Sequence, residues 1–249
     1  MHLLITNDDG ISAPGLLALK QALAPLGPVT VIAPSRNYSA AGHRKTLHKP
    51  LRIDAARLDD GSPAWVCSGA PSDCVAVALL GFVKERIDLV VSGINPNTNL
   101  GQDITYSGTV TAALESVIAN IPGLAVSTEA QGPADYAQAG RIAARLVGSL
   151  ARQPLPAGVA LNLNVPHGPL RGIRFTRQGC SQYHDRLVER LDPRDRPYYW
   201  IGGEPPTGLA DEGTDFWALE HGFVSITPLH LDLTAHEALP ALAAWKLED

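Results

Sequence analysis

Residues 2–16, His-Leu-Leu-Ile-Thr-Asn-Asp-Asp-Gly-Ile-Ser-Ala-Pro-Gly-Leu, decide the fold of this 249-residue chain. Residues 2–6 are apolar enough to form a short buried strand, and Asn7-Asp8-Asp9-Gly10 follows at once. A helix is predicted to begin at residues 12–14. Its core-facing side is predicted to carry Leu16, Leu19, Leu23 and Leu26. A strand that leads directly into a helix is the first unit of an open α/β sheet, in which ligands bind at the carboxyl ends of the strands.

Two adjacent acids stand at that carboxyl end. Asp8 and Asp9 repel each other and lose part of their hydration there, so they favour a cation between them. Helix capping is the alternative use of Asp, but one acid is enough for a cap. A phosphate-binding first turn is glycine-rich, and no G-x-G-x-x-G follows the strand. The pair therefore predicts a metal site and disfavours a nicotinamide-dependent oxidoreductase.

The composition is that of an ordinary globular protein with a sizeable core, with 45% hydrophobic and 18% charged residues. The net charge of −5 disfavours a nucleic-acid polymer as partner. Three cysteines without a CxxC pair favour a reducing cytoplasm. We see no signal peptide. The longest apolar run, residues 74–83, is too short to span a membrane and is predicted to be a core helix.

Strand and helix signals alternate over residues 1–166 as a doubly wound sheet requires. Further strands are predicted at 28–34, 65–67, 87–92, 124–127 and 159–165. Helices are predicted to begin at residue 71 and to cover 110–120 and 134–150. The predicted fold is a Rossmann-like α/β core over residues 1–166, with a mostly parallel sheet and helices on both faces.

Residues 167–249 are predicted to be a C-terminal extension that completes the core and forms a β-hairpin or arm. Short strand-like pieces occur at 173–176, 198–201 and 223–227, before a predicted terminal helix at 235–247. The aromatic segment 198–201 lies between stretches too rich in Pro, Gly and charge to build a core. A partner subunit would cover such a segment, so an oligomer is expected. The alternative is that the arm folds back on its own domain.

Three predicted strand ends carry oxygen ligands that could face one crevice. They are the acid pair, the hydroxyl-bearing loop after Pro34, and Asn95. This hard oxygen set suits Mg, Mn or Ca. The turn formers after Asn95 also fit a plain loop. The N–H groups and hydroxyls of Ser107-Gly108-Thr109, at a helix start, suit a phosphate, although a helix cap without a ligand is the alternative.

The order of motifs along the chain resembles that of the SurE family, the survival protein E nucleotidases. The resemblance runs nearly end to end. It rests on residues 7–10 (NDDG), 39–42 (SAAG), 69–74 (GAPSDC), 92–95 (SGIN), 99–101 (NLG), 107–110 (SGTV), 212–215 (EGTD), 225–229 (SITPL) and 232–234 (DLT).

The resemblance implies a metal-dependent 5′-nucleotidase that hydrolyses nucleoside monophosphates, with 3′-monophosphates and short polyphosphate as further candidate substrates. It implies one divalent ion per subunit, Mg, Mn, Co or Ca. The implied ligands are Asp8, Asp9, Ser39 and Asn95. It also implies a homodimer or homotetramer that exchanges C-terminal elements. One departure is Asn97, where the family usually has Gly, so we expect this loop to contact substrate differently.

The function predicted from the sequence is therefore phosphomonoester hydrolysis. The metal would bind a phosphate oxygen, withdraw charge and orient or ionise a water for in-line attack. Asp8 or Asp9 would act as the base, and the sequence does not decide which. Four residues would hold the phosphoryl oxygens: Asn95, Ser107, Gly108 and Thr109. A non-catalytic metal- or nucleotide-binding protein is the alternative, because binding and turnover use the same ligands.

Overall fold

The computed structural model describes residues 1–245, and its central feature is a nine-stranded sheet. The strands of the chain, of which β9 and β10 lie outside this sheet, are β1 Leu3–Thr6, β2 Val29–Pro34, β3 Ile53–Arg57, β4 Pro63–Cys67, β5 Leu89–Asn95, β6 Gly123–Thr128, β7 Val159–Val165, β8 Gly172–Phe175, β9 Cys180–Leu191, β10 Pro197–Leu209 and β11 Phe223–His230. The helices are α1 Pro14–Leu23, α2 Pro71–Val77, α3 Gly108–Ile118, α4 Pro133–Leu150, α5 Asp215–Glu220 and α6 Leu239–Ala243.

The sheet order β3-β4-β2-β1-β5-β6-β7-β11-β8 places a topological switch beside β1. The chain runs outward from β1 through β2 on one side and then returns to place β5 on the other side. All pairs from β4 to β7 across the sheet are parallel. The carboxyl ends of β1, β2 and β5 therefore meet at one edge, and in such sheets the crevice at the switch point is where ligands bind.

Helices cover both faces of the sheet. Alternate residues of each buried strand point to opposite faces, so each strand contributes to both core layers. In β1, Leu3 and Ile5 pack into the layer under α1 and α4, whereas Leu4 packs into the layer under α2. α1 contacts α4 and α2 contacts α3. The predicted Rossmann-like α/β class with a mostly parallel sheet is confirmed.

Two predictions for individual elements are wrong. Leu26 lies beyond the end of α1, in a 3₁₀ turn, and is exposed rather than core-facing. The helix predicted over residues 74–83 ends at Val77 and continues as a π-helical turn, Ala78–Phe82. Gly81 breaks the turn with a φ of 116°, a conformation that glycine adopts readily. Leu80 consequently lies in solvent, although Cys74 is buried in the core as expected.

The residues after 166 contribute two strands to the main sheet and one separate hairpin. β11 pairs antiparallel with β7 and parallel with β8. β9 and β10 form a long antiparallel hairpin of their own, which confirms the predicted hairpin. The predicted terminal helix is shorter than expected, and residues 246 and 247 of that prediction lie outside the described residues. The boundary at residue 166 stays a prediction.

Within residues 1–245, the structure has no helix with the length and apolar character needed to cross a membrane.

Candidate metal and phosphate site

A pocket of about 200 Å³ opens at the switch point, and we call it the Asp8 pocket. Of the predicted site residues, Asp8, Asp9, Ser39, Asn95 and Ser107 line it. The other lining residues are Ala40, Asn97, Thr98, Asn99, Asp103 and Tyr106. The remaining two predicted residues, Gly108 and Thr109, lie against Asp8 instead.

The turn after β1 brings the two acids to this edge. The Asn7 side chain donates to the carbonyl of Gly10 at 2.9 Å. Gly10 has a φ of 101°, and a Cβ there would lie 3.3 Å from the carbonyl oxygen of Pro34. The backbone N–H of Tyr38 donates to the carbonyl of Asp8 at 2.8 Å. These contacts tie the loop after β2, which carries Ser39, to the end of β1.

Asp8 is buried against the first turn of α3. Thr109 donates its hydroxyl to Oδ1 at 2.6 Å and its backbone N–H to Oδ2 at 3.2 Å. The approach requires glycine at 108, because a Cβ there would lie 2.8 Å from the Cβ of Asp8. The positive end of the helix dipole also favours a carboxylate at this point. Burial nevertheless raises the pKa of Asp8, although the hydrogen bonds from Thr109 act in the opposite direction.

Asp9 has fewer compensating contacts. Burial, together with the negative charge of Asp8, raises the pKa of Asp9 from 3.8 to about 6. Among the described residues, no hydrogen bond to its carboxylate oxygens is present. Two adjacent acids that both resist ionisation form a site that an added positive charge would stabilise. The electrostatics of the pair therefore fit a bound divalent cation.

The two neutral residues of the predicted ligand set have oxygens left for such a cation. Ser39 donates its hydroxyl to Oδ1 of Asn37 at 2.6 Å, which leaves the lone pairs of the hydroxyl oxygen. Asn95 donates its side-chain amide to the carbonyl of Asn97 at 2.6 Å, which leaves its Oδ1. Asn97 has no left-handed φ, so the departure from Gly causes no backbone strain at this position.

Carboxylate, hydroxyl and amide oxygens together form a hard donor set of the kind that Mg²⁺, Mn²⁺ and Ca²⁺ accept. In the part of the chain that the structure describes, no group of three or more His, Cys, Asp or Glu side chains is placed to hold a metal ion. A metal in the Asp8 pocket would therefore depend on the two carboxylates and the neutral oxygens beside them.

Ser107 and Thr109 occupy different positions at the start of α3. Ser107 caps the helix, and its hydroxyl oxygen accepts from the N–H of Val110 at 3.1 Å, so its proton remains available to the pocket. Thr109 is fully buried, and both of its donors are directed at Asp8. In this structure Thr109 therefore orients an acid, whereas Ser107 is placed to meet a phosphate.

A buried amide network that the sequence reasoning missed holds the pocket loop. Asn164 accepts the N–H of Asn99 at 2.8 Å and donates to its carbonyl at 3.1 Å. Asn162 donates to the same carbonyl at 2.8 Å, and Asn99 donates its side-chain amide to Ser127 at 2.8 Å. The available signal was the occurrence of Asn at alternate positions of the otherwise apolar strand β7.

The C-terminal part of the chain holds the same loop from the other side. Asp215 accepts the N–H of Gly101 at 2.9 Å and the N–H of Gly179 at 2.8 Å. Burial raises the pKa of Asp215, although these N–H groups favour its ionised form. Tyr183, near the start of β9, donates its hydroxyl to Asp103 at 2.7 Å. Residues far apart in sequence thus fix the loop that lines the Asp8 pocket.

A larger cavity of about 500 Å³ lies outside this site and is mainly apolar. It is lined in part by His43, Leu114, Leu229 and Leu231. His43 and Lys45 are both paired with the buried carboxylate of Glu115, at 2.8 and 2.9 Å. Because its wall holds no adjacent acids, this cavity offers no comparable cation site.

Comparisons with known proteins identify the family of this chain. A sequence model of the family described as "Survival protein SurE" matches residues 3–185. The chain is 49% identical to "5'-nucleotidase SurE" of Chloroflexus aggregans, with all of both chains covered. It is 50% identical to the protein of the same name from Herpetosiphon aurantiacus, over 94% of each chain. The crystal structure of the SurE protein from Aquifex aeolicus superposes with a TM-score of 0.82 at 37% identity, covering 97% of this chain and 98% of that one. The chain therefore belongs to the SurE family.

Proposed function

We propose that this protein is a divalent-metal-dependent phosphomonoesterase that hydrolyses nucleoside 5′-monophosphates. The observation that carries the proposal is the pair Asp8 and Asp9, held with neutral oxygens at the switch point of a parallel sheet. The relatives at 49% and 50% identity carry the name 5′-nucleotidase, and they match along nearly the whole chain. On this basis the protein is a hydrolase. Nucleoside 3′-monophosphates and short polyphosphate are further candidate substrates.

Four residues would hold one divalent ion: Asp8, Asp9, Ser39 and Asn95. Mg, Mn, Co and Ca are all candidates for an oxygen donor set. When bound, the ion supplies positive charge to a phosphoryl oxygen and lowers the pKa of water.

The protein's own groups divide the remaining work. Thr109 fixes both oxygens of Asp8, so Asp8 is a rigid anchor. The carboxylate of Asp9 borders the pocket without such donors, so it is the better placed of the two to orient a water and take its proton. The hydroxyl of Ser107 would donate a hydrogen bond to a phosphoryl oxygen, and Asn95 borders the same pocket. With the phosphate in this pocket, the two groups would stabilise the negative charge that develops during phosphoryl transfer.

Phosphate release from AMP, with and without a chelator, tests the proposal. Wild type should release phosphate only with divalent metal. Asp8→Asn keeps the side-chain shape but removes a charge, so its activity in micromolar metal should fall to the level seen in chelator. Asp59→Asn, on an exposed turn, is the matched control and should behave as wild type. Metal-dependent binding of AMP without phosphate release would instead favour the non-catalytic binding protein.

We also propose that the protein assembles as a homodimer or homotetramer that exchanges C-terminal elements. The β9–β10 hairpin supports this, because it stands apart from the main sheet. Its apolar side chains lie in solvent, with Trp200 62% and Ile201 81% exposed. Exposed apolar surface of this kind marks protein interfaces. A second copy of the chain would cover it.

A cytoplasmic location is proposed as well. Cys67, Cys74 and Cys180 are free thiols, as expected in a reducing compartment.

A further inference from the structure

An aromatic side chain at the mouth of the Asp8 pocket is not used by the proposed chemistry. Tyr106 lines the pocket and directly precedes Ser107, the residue placed to meet phosphate. Its side chain is large, yet the residue is 58% exposed. Among the described residues, its hydroxyl makes no hydrogen bond. The ring is therefore available to a ligand that enters the pocket.

The backbone that carries this ring is fixed. The N–H of Tyr106 donates to the carbonyl of Asp103 at 3.0 Å, and its own carbonyl accepts from the N–H of Gly42 at 2.9 Å. The next residue, Ser107, is the cap of α3. Because the backbone is already fixed, a ligand that stacks on the ring has to order only the two side-chain torsions of Tyr106, so less of the contact energy is lost to ordering.

The size of the pocket shows which part of a nucleotide would reach this ring. Its volume of about 200 Å³ is below the ~300–1,000 Å³ typical of sites that enclose a whole small molecule. With the phosphate at Asp8 and Ser107, the phosphate and part of the sugar would fill the pocket. The base would then extend toward solvent, where the exposed ring of Tyr106 can meet it.

A second tyrosine stands close to the first. Tyr183, from β9, donates its hydroxyl to Asp103, which also lines the pocket, and its ring is partly exposed. The backbone contact of Tyr106 is to the same residue. Asp103 therefore contacts both tyrosines, through the hydroxyl of Tyr183 and the backbone N–H of Tyr106, at one edge of the pocket.

We propose that Tyr106, with Tyr183 beside it, forms a subsite on which the nucleobase of the substrate stacks. The inference rests on the proposed nucleotidase function and extends it to a part of the substrate remote from the reacting phosphate. Stacking uses the π-face that every base has, so the subsite accepts purines and pyrimidines alike. It separates nucleotides from phosphomonoesters that lack a base.

Steady-state kinetics with AMP and with ribose 5-phosphate, which has no base, test the subsite. Tyr106→Ala should raise the KM for AMP by about 5- to 150-fold, the range expected for loss of one stacked ring, with kcat nearly unchanged. The KM for ribose 5-phosphate should not change. Tyr106→Phe keeps the ring and should restore the wild-type KM for AMP. Phe175→Ala, at an exposed aromatic on β8, is the matched control.

The outcomes separate this inference from the proposed function. An unchanged KM for AMP in Tyr106→Ala, or an equal rise for ribose 5-phosphate, would overturn the subsite while leaving the phosphatase proposal intact. If wild type hydrolyses neither compound in any divalent metal, the proposed function fails. Calorimetric titration with adenosine then tests the subsite separately: wild type and Tyr106→Phe should bind it, and equal binding by Tyr106→Ala would overturn the subsite.

Discussion

The contact between Thr109 and Asp8 predicts that a buried side chain outside the pocket controls metal affinity. In Thr109→Val the shape is kept, but the hydroxyl that donates to Asp8 at 2.6 Å is lost. The carboxylate then keeps only the longer bond from the backbone N–H. It is freer to rotate, and the pKa of Asp8 rises further because the hydroxyl had favoured its ionised form.

The expected size of the effect follows from the charge of the acceptor. A hydrogen bond to a charged group contributes about 1.5–3 kcal/mol, which corresponds to a factor of about 10–150 in an equilibrium constant. Replacement of a residue that orients a metal ligand commonly lowers metal affinity by about 10–100-fold. Because Asp8 is buried, little of this contact is screened by solvent. We therefore expect the Kd for Mn²⁺ to rise by about tenfold or more.

Calorimetric titration with Mn²⁺ measures this Kd, and the dependence of phosphate release on metal concentration measures it independently. Thr109→Ser keeps the hydroxyl and should bind Mn²⁺ nearly as wild type does. Thr111→Val is the matched control, since Thr111 is a buried threonine of the same helix whose hydroxyl donates to backbone carbonyls. If Thr109→Val binds Mn²⁺ as wild type does but is less inhibited by inorganic phosphate, Thr109 contacts the phosphate and the reasoning from Asp8 is refuted.

Three other contacts give predictions of their own. Asn164→Leu leaves the buried N–H of Asn99 without its partner, although the carbonyl keeps the bond from Asn162. One unsatisfied buried group costs about 1–3 kcal/mol, so the Tm should fall and kcat/KM for AMP should fall with it; an unchanged Tm would contradict this. Burial raises the pKa of Glu115, but the hydrogen bonds from His43 and Lys45 and their positive charge outweigh it and lower the pKa below 4.5. Its contribution to stability is therefore present above pH 4.5 and lost as the pH falls below that value, and Glu115→Gln should flatten this part of the urea-unfolding profile. Ile201→Asp should produce smaller particles in sedimentation at micromolar concentration, whereas an unchanged sedimentation coefficient would argue against association through the hairpin.

The fold could be predicted from sequence wherever a strand is buried on both faces. β2, β5 and β6 are largely apolar and buried, as is typical of parallel sheets, and β7 is apolar apart from Asn162 and Asn164. The helix α4, between β6 and β7, buries its residues with a 3.6-residue period. The local sequence pattern is enough to identify these strands because their side chains are buried on both faces of the sheet.

Strands with neither face covered could not be predicted in this way. The sequence does not predict β9, because nearly all of its residues are exposed. Its sequence therefore lacks the alternation of polar and apolar residues that is typical of a half-buried strand. β10 extends through residues 202–209, where glycines and prolines indicate a loop. The antiparallel edge strand β3 is likewise mostly exposed. β9 and β10 pair with each other, and a local sequence pattern does not identify the partner of a strand.

The candidate site divides in a similar way. The acids and Asn95 could be found from sequence because each directly follows or ends a recognisable strand. The roles of Thr109 and Asn164 could not, since each depends on a contact with a residue more than sixty positions away. The role proposed for Tyr106 could not be found either, because it depends on the size of the pocket that Tyr106 lines.

The electrostatics of the acid pair explain why such an arrangement favours a bound cation. The pKa of Asp9 is raised from 3.8 to about 6, so the folded chain binds a proton there more tightly than the unfolded chain does. Without metal, the stability of the fold therefore decreases as the pH rises through this interval. The start of α3 offsets part of the same effect at Asp8, but it does not remove it. At pH 7, above the pKa of about 6, Asp9 is mostly ionised, and a divalent cation beside the pair would offset the repulsion between the two acids. The folded state should therefore bind the ion far more tightly than the unfolded state does. The burial of the two acids, which destabilises the metal-free protein, is then also what gives the folded protein its affinity for the ion.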